Sequence, residues 1–335
     1  MKILNQYYQI PAEQWDALIQ NSPVGSWFQT REAYGFFDSN SFMEPFVFGV
    51  SENDTLKCLT VGYLQGDGGW LKRKLSRRAI IVGGPVLTDQ TTEKHLSVML
   101  SAIRDNLRGR CIYIESRNLN DYSPWKSIFE KKGFSYQPHL NFHLDTTSMD
   151  VVNNNLSRTR KRHIHVGLRD GATMETASSK KDIDDFYSIL HDLYQKKVKK
   201  PLPPPEFFYK LHQLESAEIL VVKYNSQVIG GIAYVCLDKK VGYEWYVCGK
   251  DEDFKALYPS ELATYAGIRA TVNSGCPRFD FMGAGKPDVE YGVRNFKALF
   301  GGTLVEHGRF LHTCHPFIYN AGKLFLEIIS SIQWG

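Results

Sequence analysis

The sequence has few cysteines and no paired cysteine motif. Its 335 residues include six cysteines, which lie far apart, form no C-x-x-C pair and mostly sit in apolar stretches. This spacing argues against a zinc ribbon or a dithiol redox centre and favours reduced thiols in the interior of a cytosolic protein. His307, His312 and His315 cluster in the sequence, but their spacing provides no convincing ligand set. We therefore predict no metal site.

Long apolar runs are also missing. The first residues, MKILNQYYQIPAEQW, lack the apolar core of a signal peptide. No segment approaches the roughly 20 apolar residues that a transmembrane helix needs. These absences predict a cytoplasmic protein. The cationic stretch from Leu71 to Arg78 leaves open a peripheral contact with anionic lipids at the inner face of the membrane.

An excess of charge of one sign is absent as well. The formal net charge is +4, with 40 basic and 36 acidic residues. This balance suits an anionic ligand but does not demand nucleic acid. The chain is 43% hydrophobic and, at 335 residues, long for one core, so we expect two domains.

The same order of predicted elements occurs twice along the chain. The first half predicts a strand hairpin within Glu44–Asp67, strands at Ala79–Val82, Cys111–Ser116 and His139–Asp145, and helices at Thr91–Leu107 and Pro124–Lys132. The second half predicts three strands within Glu218–Cys248, helices at Ser260–Asn273 and Val293–Phe300, and strands at Arg278–Met282 and Thr303–Phe310. This order predicts a duplicated mixed α/β unit.

The domain boundaries follow from this repeat. We expect a first domain at 1–148 and a second at 149–315, with a mostly helical segment at 150–214 leading into the second core. The last segment, 316–335, has apolar residues at helical spacing and predicts an amphipathic helix.

The run from Arg278 to Phe310 contains FDF-x-G and, further on, FKxxFGG. Here a short buried strand leads to a glycine loop at Gly283–Gly285, then to a helix that Gly301-Gly302 ends, and then to a second strand. This unit resembles the C-terminal signature of Fem-type aminoacyltransferases, which add amino acids to the peptide of a peptidoglycan precursor. The resemblance implies two tandem acetyltransferase-like (GNAT-like) domains. It also implies that the C-terminal helix returns to pack on the first domain.

The usual acetyl-CoA site of this superfamily is a loop of the type Arg/Gln-x-x-Gly-x-Gly/Ala that opens a helix. Its glycines let backbone N–H groups reach the pyrophosphate. The corresponding stretch here, Asp253 to Ser260, contains no glycine, and Pro259 removes one donor. Fem-type proteins have lost the coenzyme at this site. The resemblance therefore implies aminoacyl-tRNA as donor and no permanently bound cofactor, with acyl-CoA as the alternative donor.

Transfer from an activated ester needs alignment and the loss of one proton from the acceptor amine, so a conspicuous catalytic triad is not required. Three residues are candidates for catalytic roles: Asp280, Glu244 and Tyr258. The candidates for substrate binding are basic residues and loop glycines: Lys255, Lys286, Arg294, Lys297, Gly283, Gly285, Arg158, Lys161 and Arg162.

These observations predict an enzyme that moves an aminoacyl or acyl group to an amine. The expected acceptor is an anionic envelope precursor, a nucleotide-linked or lipid-linked muropeptide, with tRNA as a further partner of the basic helix around Arg158. Two alternatives remain open. One is an N-acyltransferase that uses acyl-CoA or an acyl carrier on an amino sugar. The other is a non-catalytic binding module with the same fold.

Overall fold

The structure, a computed structural model, describes residues 1–66 and 76–322. Its strands are β1 (Lys2–Leu4), β2 (Met43–Glu52), β3 (Thr55–Gln65), β4 (Arg78–Val82), β5 (Val86–Leu87), β6 (Tyr113–Arg117), β7 (Ser135–Gln137), β8 (Leu140–Asp145), β9 (Thr173–Thr176), β10 (Ala217–Tyr224), β11 (Gln227–Leu237), β12 (Val241–Gly249), β13 (Arg278–Asp280), β14 (Thr303–Glu306) and β15 (Arg309–Thr313). Together they form two mixed sheets, one in each of two units.

The helices alternate with these strands. They are α1 (Ala12–Asn21), α2 (Arg31–Ser39), α3 (Glu93–Leu107), α4 (Lys126–Lys131), α5 (Met149–Asn155), α6 (Arg158–Arg169), α7 (Lys180–Leu193), α8 (Pro205–His212), α9 (Pro259–Asn273) and α10 (Gly292–Ala298). A π-helical turn, Tyr194–Val198, follows α7. The predicted α/β class is confirmed.

The first unit contains residues up to Pro138 and the segment that begins at His307. Its strands follow the order β1-β2-β3-β4-β6-β15-β7, with β5 beside β3. Helix α3 connects the parallel strands β4 and β6, and the capping threonine Thr92 accepts a hydrogen bond from the His95 N–H at its start. Leu96, Met99 and Ile103 of α3 are buried in the core of this unit.

The second unit, His139–Glu306, has the strand order β14-β8-β13-β12-β11-β10-β9. Helix α9 connects β12 to the parallel strand β13 and packs on β11 and β12. Its Gly267 allows close approach, because an added Cβ would lie 3.3 Å from the ring of Phe279. Phe279 and Phe281 are fully buried in this core, whereas the side chain of Asp280, between them, points to the opposite face, as the FDF alternation predicts.

Each sheet includes a strand from the far side of a predicted domain boundary. The predicted strand His139–Asp145 is β8, and it lies between β13 and β14 of the second sheet. The predicted strand Thr303–Phe310 is two strands, because Gly308, at φ +60, turns the chain between β14 and β15. The units therefore divide after Pro138 and after Glu306, instead of at 148 and 315. Strand order along the chain does not specify which sheet such a strand joins.

Two predicted segments lie partly outside the described residues. The cationic stretch at 71–78 is described only from 76 onward, and the C-terminal helix only as far as 322. From Pro316 to Gly322 the chain is helical, and the Tyr319 ring lies 5.5 Å from that of Tyr113 on β6. Phe317 is 92% exposed. Among the helices that the structure describes, none has the length and apolar character to cross a membrane.

Candidate functional site

The strands β12 and β13 separate in the middle of the second sheet. They pair in parallel from Val241↔Arg278 to Tyr243↔Asp280, and β12 then continues to Gly249 while β13 ends. The chain leaves β13 through three residues with positive φ: Met282 (55°), Gly283 (122°) and Gly285 (81°). Beyond Tyr243, β12 has thus lost its pairing with β13 on one side. We refer to this end of the β12–β13 pairing as the gap.

A β-bulge lies at this gap. Tyr234 of β11 pairs with Glu244, but the next pair joins Ala233 to Tyr246, so Trp245 is the extra residue. Bulges redirect side chains. Here the rings of Trp245 and Tyr246 both approach Phe207 of α8, with centroid distances of 5.2 and 6.0 Å. The two half-buried rings form an aromatic wall beside the gap.

Glu244 points to the other face of the sheet, toward α9. Its Oε1 lies 3.0 Å from Nζ of Lys297, and its Oε2 accepts a hydrogen bond from Thr264 Oγ1 at 2.9 Å. Lys297 Nζ also donates to the carbonyls of Phe281 and Gly283. Glu244 is 3% exposed and Lys297 7%. This buried pair therefore ties α10 and the glycine loop to β12, and it explains the lysine of FKxxFGG.

Asp280 is the centre of a second polar cluster, on the face opposite α9. It is fully buried, and its Oδ1 accepts hydrogen bonds from Asn141 Nδ2 at 2.8 Å and from the Met282 N–H at 2.7 Å. His143 Nε2 lies 3.1 Å from Oδ2. Asn141 Oδ1 in turn accepts from the Gly283 N–H at 2.7 Å. The cluster joins β8, β13 and the glycine loop.

The surroundings of Asp280 keep it ionised. Burial raises its pKa, but the hydrogen bond and the charge of His143, together with Asn141, outweigh this and lower the pKa below the usual value. His143 was not a sequence candidate. The signal was present in the alternation of β8, where Asn141 and His143 are polar while Phe142 and Leu144 are apolar.

A pH-dependent stability follows from Asp280. Because its folded pKa is depressed, its contribution to the free energy of unfolding is present above about pH 4 and is lost as the pH falls through the folded value. We expect Asp280→Asn to be less stable than wild type at pH 7 and to lose less stability between pH 5 and pH 2. Urea midpoints over this range measure both effects. Asp238→Asn, at an exposed turn position, should follow wild type. An unchanged acid limb in Asp280→Asn would contradict the assignment.

The N-terminus of α9 is closed by the chain itself. Asp251 accepts hydrogen bonds from the Ser260 N–H at 3.0 Å and from Ser260 Oγ at 2.6 Å. Tyr258 precedes the helix at φ +53, and Pro259 is its first residue. An added Cβ on Gly249 would overlap the Ser260 nitrogen, so strand and helix are in close approach. A carboxylate of the protein thus occupies the positive end of the helix dipole.

Helix α6 packs beside the start of α9. The ring of Tyr258 stacks on His163 at 3.8 Å, and Glu261 of α9 contacts His163 Nδ1 at 3.1 Å and forms an ion pair with Arg160. Arg160 is 1% exposed, and its guanidinium lies 4.2 Å from the ring centroid of Phe300. Arg160 therefore points inward and holds α6, α9 and α10 together. Three predicted binding residues of α6 are exposed: Arg158, Lys161 and Arg162.

The remaining candidates fall into two groups. Lys255 and Lys286 are exposed, the first in the loop before α9 and the second in the loop before α10. Arg294 donates to the carbonyls of Ala284 at 2.9 Å and Val289 at 3.1 Å, so it braces the loop that carries Lys286. Within residues 1–66 and 76–322, no group of three or more His, Cys, Asp or Glu side chains could hold a metal ion.

Four predicted site residues thus lie near the end of the β12–β13 pairing: Glu244 and Lys297 on the face toward α9, Asp280 on the opposite face, and Gly283 in the loop that contacts both clusters. Tyr258 and Lys255 lie apart from the gap, at the start of α9. The network around Asp280, the inward Arg160 and the bulge at Trp245 were not predicted.

A known protein family and several solved structures are similar to this chain. Residues 152–297 match the acetyltransferase (GNAT) domain family. The crystal structure of FemX is similar over 96% of this chain and 99% of its own, with a TM-score of 0.72 and 13% identity. The C-terminal domain of a protein described as a lysylphosphatidylglycerol synthetase, from Agrobacterium fabrum, is similar over 94% of this chain and 95% of its own, with a TM-score of 0.59 and 13% identity.

A tandem GNAT protein from the clavulanic acid biosynthesis pathway is also similar, over 93% of this chain and 98% of its own, with a TM-score of 0.58 and 8% identity. No curated protein matches the sequence. The findings confirm the predicted fold and support an acyltransferase. The chain therefore has the tandem GNAT-like fold of the Fem-type proteins, and its second unit carries an acetyltransferase (GNAT) domain.

Proposed function

We propose that the protein transfers an aminoacyl group from aminoacyl-tRNA to an amine of a cell-envelope precursor, a nucleotide-linked or lipid-linked muropeptide. The tandem fold, the similarity to FemX and the FKxxFGG unit support this reading. The similarity to a lysylphosphatidylglycerol synthetase domain supports envelope chemistry in general.

The choice of aminoacyl-tRNA over acyl-CoA as the donor rests on the start of helix α9. Acyl-CoA needs, for its pyrophosphate, the N-terminus of the helix that the glycine loop of an acetyltransferase opens. In this chain that position is the start of α9, where Asp251 already accepts from Ser260 and where Pro259 has no N–H. A second anion there would meet like charge and missing donors. An aminoacyl ester has no need of this cradle, because its reactive carbonyl can enter at the gap beside Trp245.

The residues of this chain mainly bind and align in such a reaction. An ester is already activated, and an amine of pKa about 10 becomes a nucleophile when one proton leaves. Holding both reactants in line can supply about 7 kcal/mol of the barrier. The exposed cations Arg158, Lys161, Arg162 and Lys255 are suited to phosphates of tRNA or of the precursor. The gap between β12 and β13 is where the reacting groups meet.

A donor-by-acceptor matrix tests the proposal. Purified protein is incubated with charged tRNA pools or with acetyl-CoA, each combined with a nucleotide-linked muropeptide, a lipid-linked muropeptide or an amino sugar, and the products are read by mass spectrometry. We expect a mass increase of one amino acid residue only when charged tRNA and a muropeptide are both present. Acetylation of the amino sugar instead would overturn the proposal.

The second candidate is N-acyl transfer from acyl-CoA or an acyl carrier to an amino sugar. The match of residues 152–297 to the acetyltransferase (GNAT) domain family favours it, as does the similarity to the tandem GNAT protein of clavulanic acid biosynthesis. Binding of a muropeptide with no product from any donor would point to a non-catalytic module.

Acetyl-CoA should bind weakly, because Asp251 occupies the start of α9 and Pro259 has no N–H to offer its pyrophosphate. We expect no calorimetric binding in the low micromolar range with wild type. Asp251→Asn, which removes the charge at the helix start, should strengthen binding by about 2–5-fold at low salt, as expected for the loss of an unfavourable helix-terminus interaction. Asp253→Asn, an exposed neighbour in the same loop, should bind like wild type. A low micromolar dissociation constant for wild type would promote the acyl-CoA alternative.

A further inference from the structure

The six cysteines lie far apart in the sequence, but two of them meet in the first unit. Cys111 precedes β6 and Cys314 follows β15, and their Sγ atoms lie 3.9 Å apart. We propose that these two thiols are a modification site, at which hydrogen peroxide joins them into a reversible disulfide that fixes β15 to β6. This inference does not depend on the donor or the acceptor of the proposed transfer reaction.

The backbone holds the two cysteines side by side. β15 pairs with β6 as far as Thr313↔Tyr113, and the Cys314 N–H then donates to the carbonyl of Ile112 at 2.8 Å. A disulfide needs its two sulfur atoms about 2.05 Å apart. The remaining approach is within the range of a side-chain rotation, so the strand pairing can stay in place.

The two sulfur atoms differ in their access to solvent. Cys314 is half-buried, whereas Cys111 is 4% exposed and belongs to the core of the first unit. A small oxidant can therefore reach Cys314, and Cys111 lies next to it as the thiol that reacts second.

The accessible thiol is also the more reactive one. A hydrogen bond from Cys111 lowers the pKa of Cys314; burial opposes this, and the charge of Arg108 adds to the lowering. The same contact raises the pKa of Cys111. Because the thiolate is the nucleophilic form of cysteine, the oxidant should react first at Cys314.

A second cysteine pair, in the second unit, has the opposite arrangement. Cys236 of β11 and Cys276, which precedes β13, share a hydrogen bond that raises the pKa of Cys236 and lowers that of Cys276. Cys236 is the half-buried member, whereas Cys276 is 0% exposed. The thiol with the lowered pKa is thus out of reach of an oxidant. All six cysteines lie within the described residues, and the pair in the first unit is the one that combines contact, access and a reactive thiol.

The oxidation proceeds in two balanced steps. The Cys314 thiolate attacks one peroxide oxygen, an S–O bond forms, the O–O bond breaks, and the leaving hydroxide takes up the proton that the thiol released. The Cys111 sulfur then attacks the sulfenic acid, the S–S bond forms and the S–O bond breaks. The oxygen leaves as water with the Cys111 proton. Two thiols and one peroxide thus give one disulfide and two waters, and the two electrons lost by the sulfur atoms reduce the peroxide oxygens.

The new bond would join residues that are 203 positions apart. Since β15 lies between β6 and β7, the bond fixes an interior strand of the first sheet. A cross-link that closes a long loop stabilises a protein mainly by restricting its unfolded chain. Oxidation should therefore make the first sheet harder to unfold, and reduction by a thiol should reverse this. Transient disulfides of this kind serve as redox responses in reducing compartments.

The test uses the full-length protein, first reduced and then treated with hydrogen peroxide. The remaining thiols are alkylated, and the peptides are read by mass spectrometry with and without dithiothreitol. We expect two peptides linked through Cys111 and Cys314, lighter by two hydrogen atoms than their sum, which separate on reduction. The urea midpoint of the oxidised protein should rise by about 1 M or more.

Three variants separate the two steps. Cys314→Ser should give no linked peptides. Cys111→Ser should stop at the sulfenic acid of Cys314, which a cyclic 1,3-diketone traps. Cys236→Ser, at a half-buried position of the second unit, is the matched control and should form the link as wild type does. If Cys111→Ser fails to fold, wild type and Cys314→Ser still decide the question.

Several results would overturn the inference. These are a wild-type protein whose Cys314 remains fully alkylable after peroxide, a disulfide between the Cys314 residues of two molecules, and a link between Cys236 and Cys276 alone. An unchanged urea midpoint in the fully linked protein would show that the bond does not fix β15. The proposed function is tested separately, because the donor-by-acceptor experiment uses the reduced protein.

Discussion

Replacing Lys297 with methionine should lower the free energy of unfolding by about 3–5 kcal/mol, because it leaves Glu244 as a buried charge without its partner. Thr264 alone would remain to satisfy the carboxylate on the side of α9. The carbonyls of Phe281 and Gly283 would also lose their donor. The loss is large against a typical total of about 5–15 kcal/mol.

The double variant Glu244→Gln with Lys297→Met provides the matched control. It removes both charges and should recover most of the loss, since a neutral amide costs far less to bury than an unpaired carboxylate. Chemical denaturation of the two single variants and the double variant gives the coupling free energy. If Lys297→Met unfolds like wild type and loses only substrate binding, the lysine faces a ligand and not Glu244.

Gly301→Ala should destabilise the protein by at least about 3 kcal/mol, through strain and overlap together. Gly301 has φ +83, which an alanine adopts only with strain, and an added Cβ would overlap the backbone oxygen of Asn155 at the end of α5. The first glycine of FKxxFGG is therefore required by packing of the loop on α5, in addition to its role in ending α10.

Gly292→Ala is the control at the other end of the same helix. A Cβ there meets no heavy atom within 4 Å, so the change should be nearly neutral. Thermal or urea unfolding of the two variants measures the contrast. Equal stability of Gly301→Ala and Gly292→Ala would show that the loop can move away from Asn155 at little cost.

Local pattern predicted one long helix in each unit well. The helix predicted from Ser260 to Asn273 is α9, Pro259–Asn273, and the helix predicted at Thr91–Leu107 is α3, Glu93–Leu107. Such elements are determined by the periodicity of apolar residues and by turn residues, all of which lie close together in the sequence. The alternation of the FDF strand also placed Asp280 on the face away from the two phenylalanines. All of these depend only on neighbours in sequence.

The partners of the candidate residues could not be predicted in this way. His143 meets Asp280 across 137 residues, and Arg160 meets the carbonyl of Phe296 across 136. A basic helix predicts a solvated or ligand-binding face, yet Arg160 is buried because Glu261 and two aromatic rings surround it. Which cation of such a helix points inward depends on the neighbour that packs against it.

The exchange of strands between the halves of the chain has a consequence for folding kinetics. The first sheet includes β15, whose Arg309 bonds to Glu115 across 194 residues. During synthesis the first unit cannot complete its sheet before β15 has been made, because β15 lies between β6 and β7 and pairs with both. Contacts of such sequence separation slow folding, because the loop must close before pairing stabilises it. We expect the N-terminal sheet to acquire protection from proteases only after β15 has been synthesised.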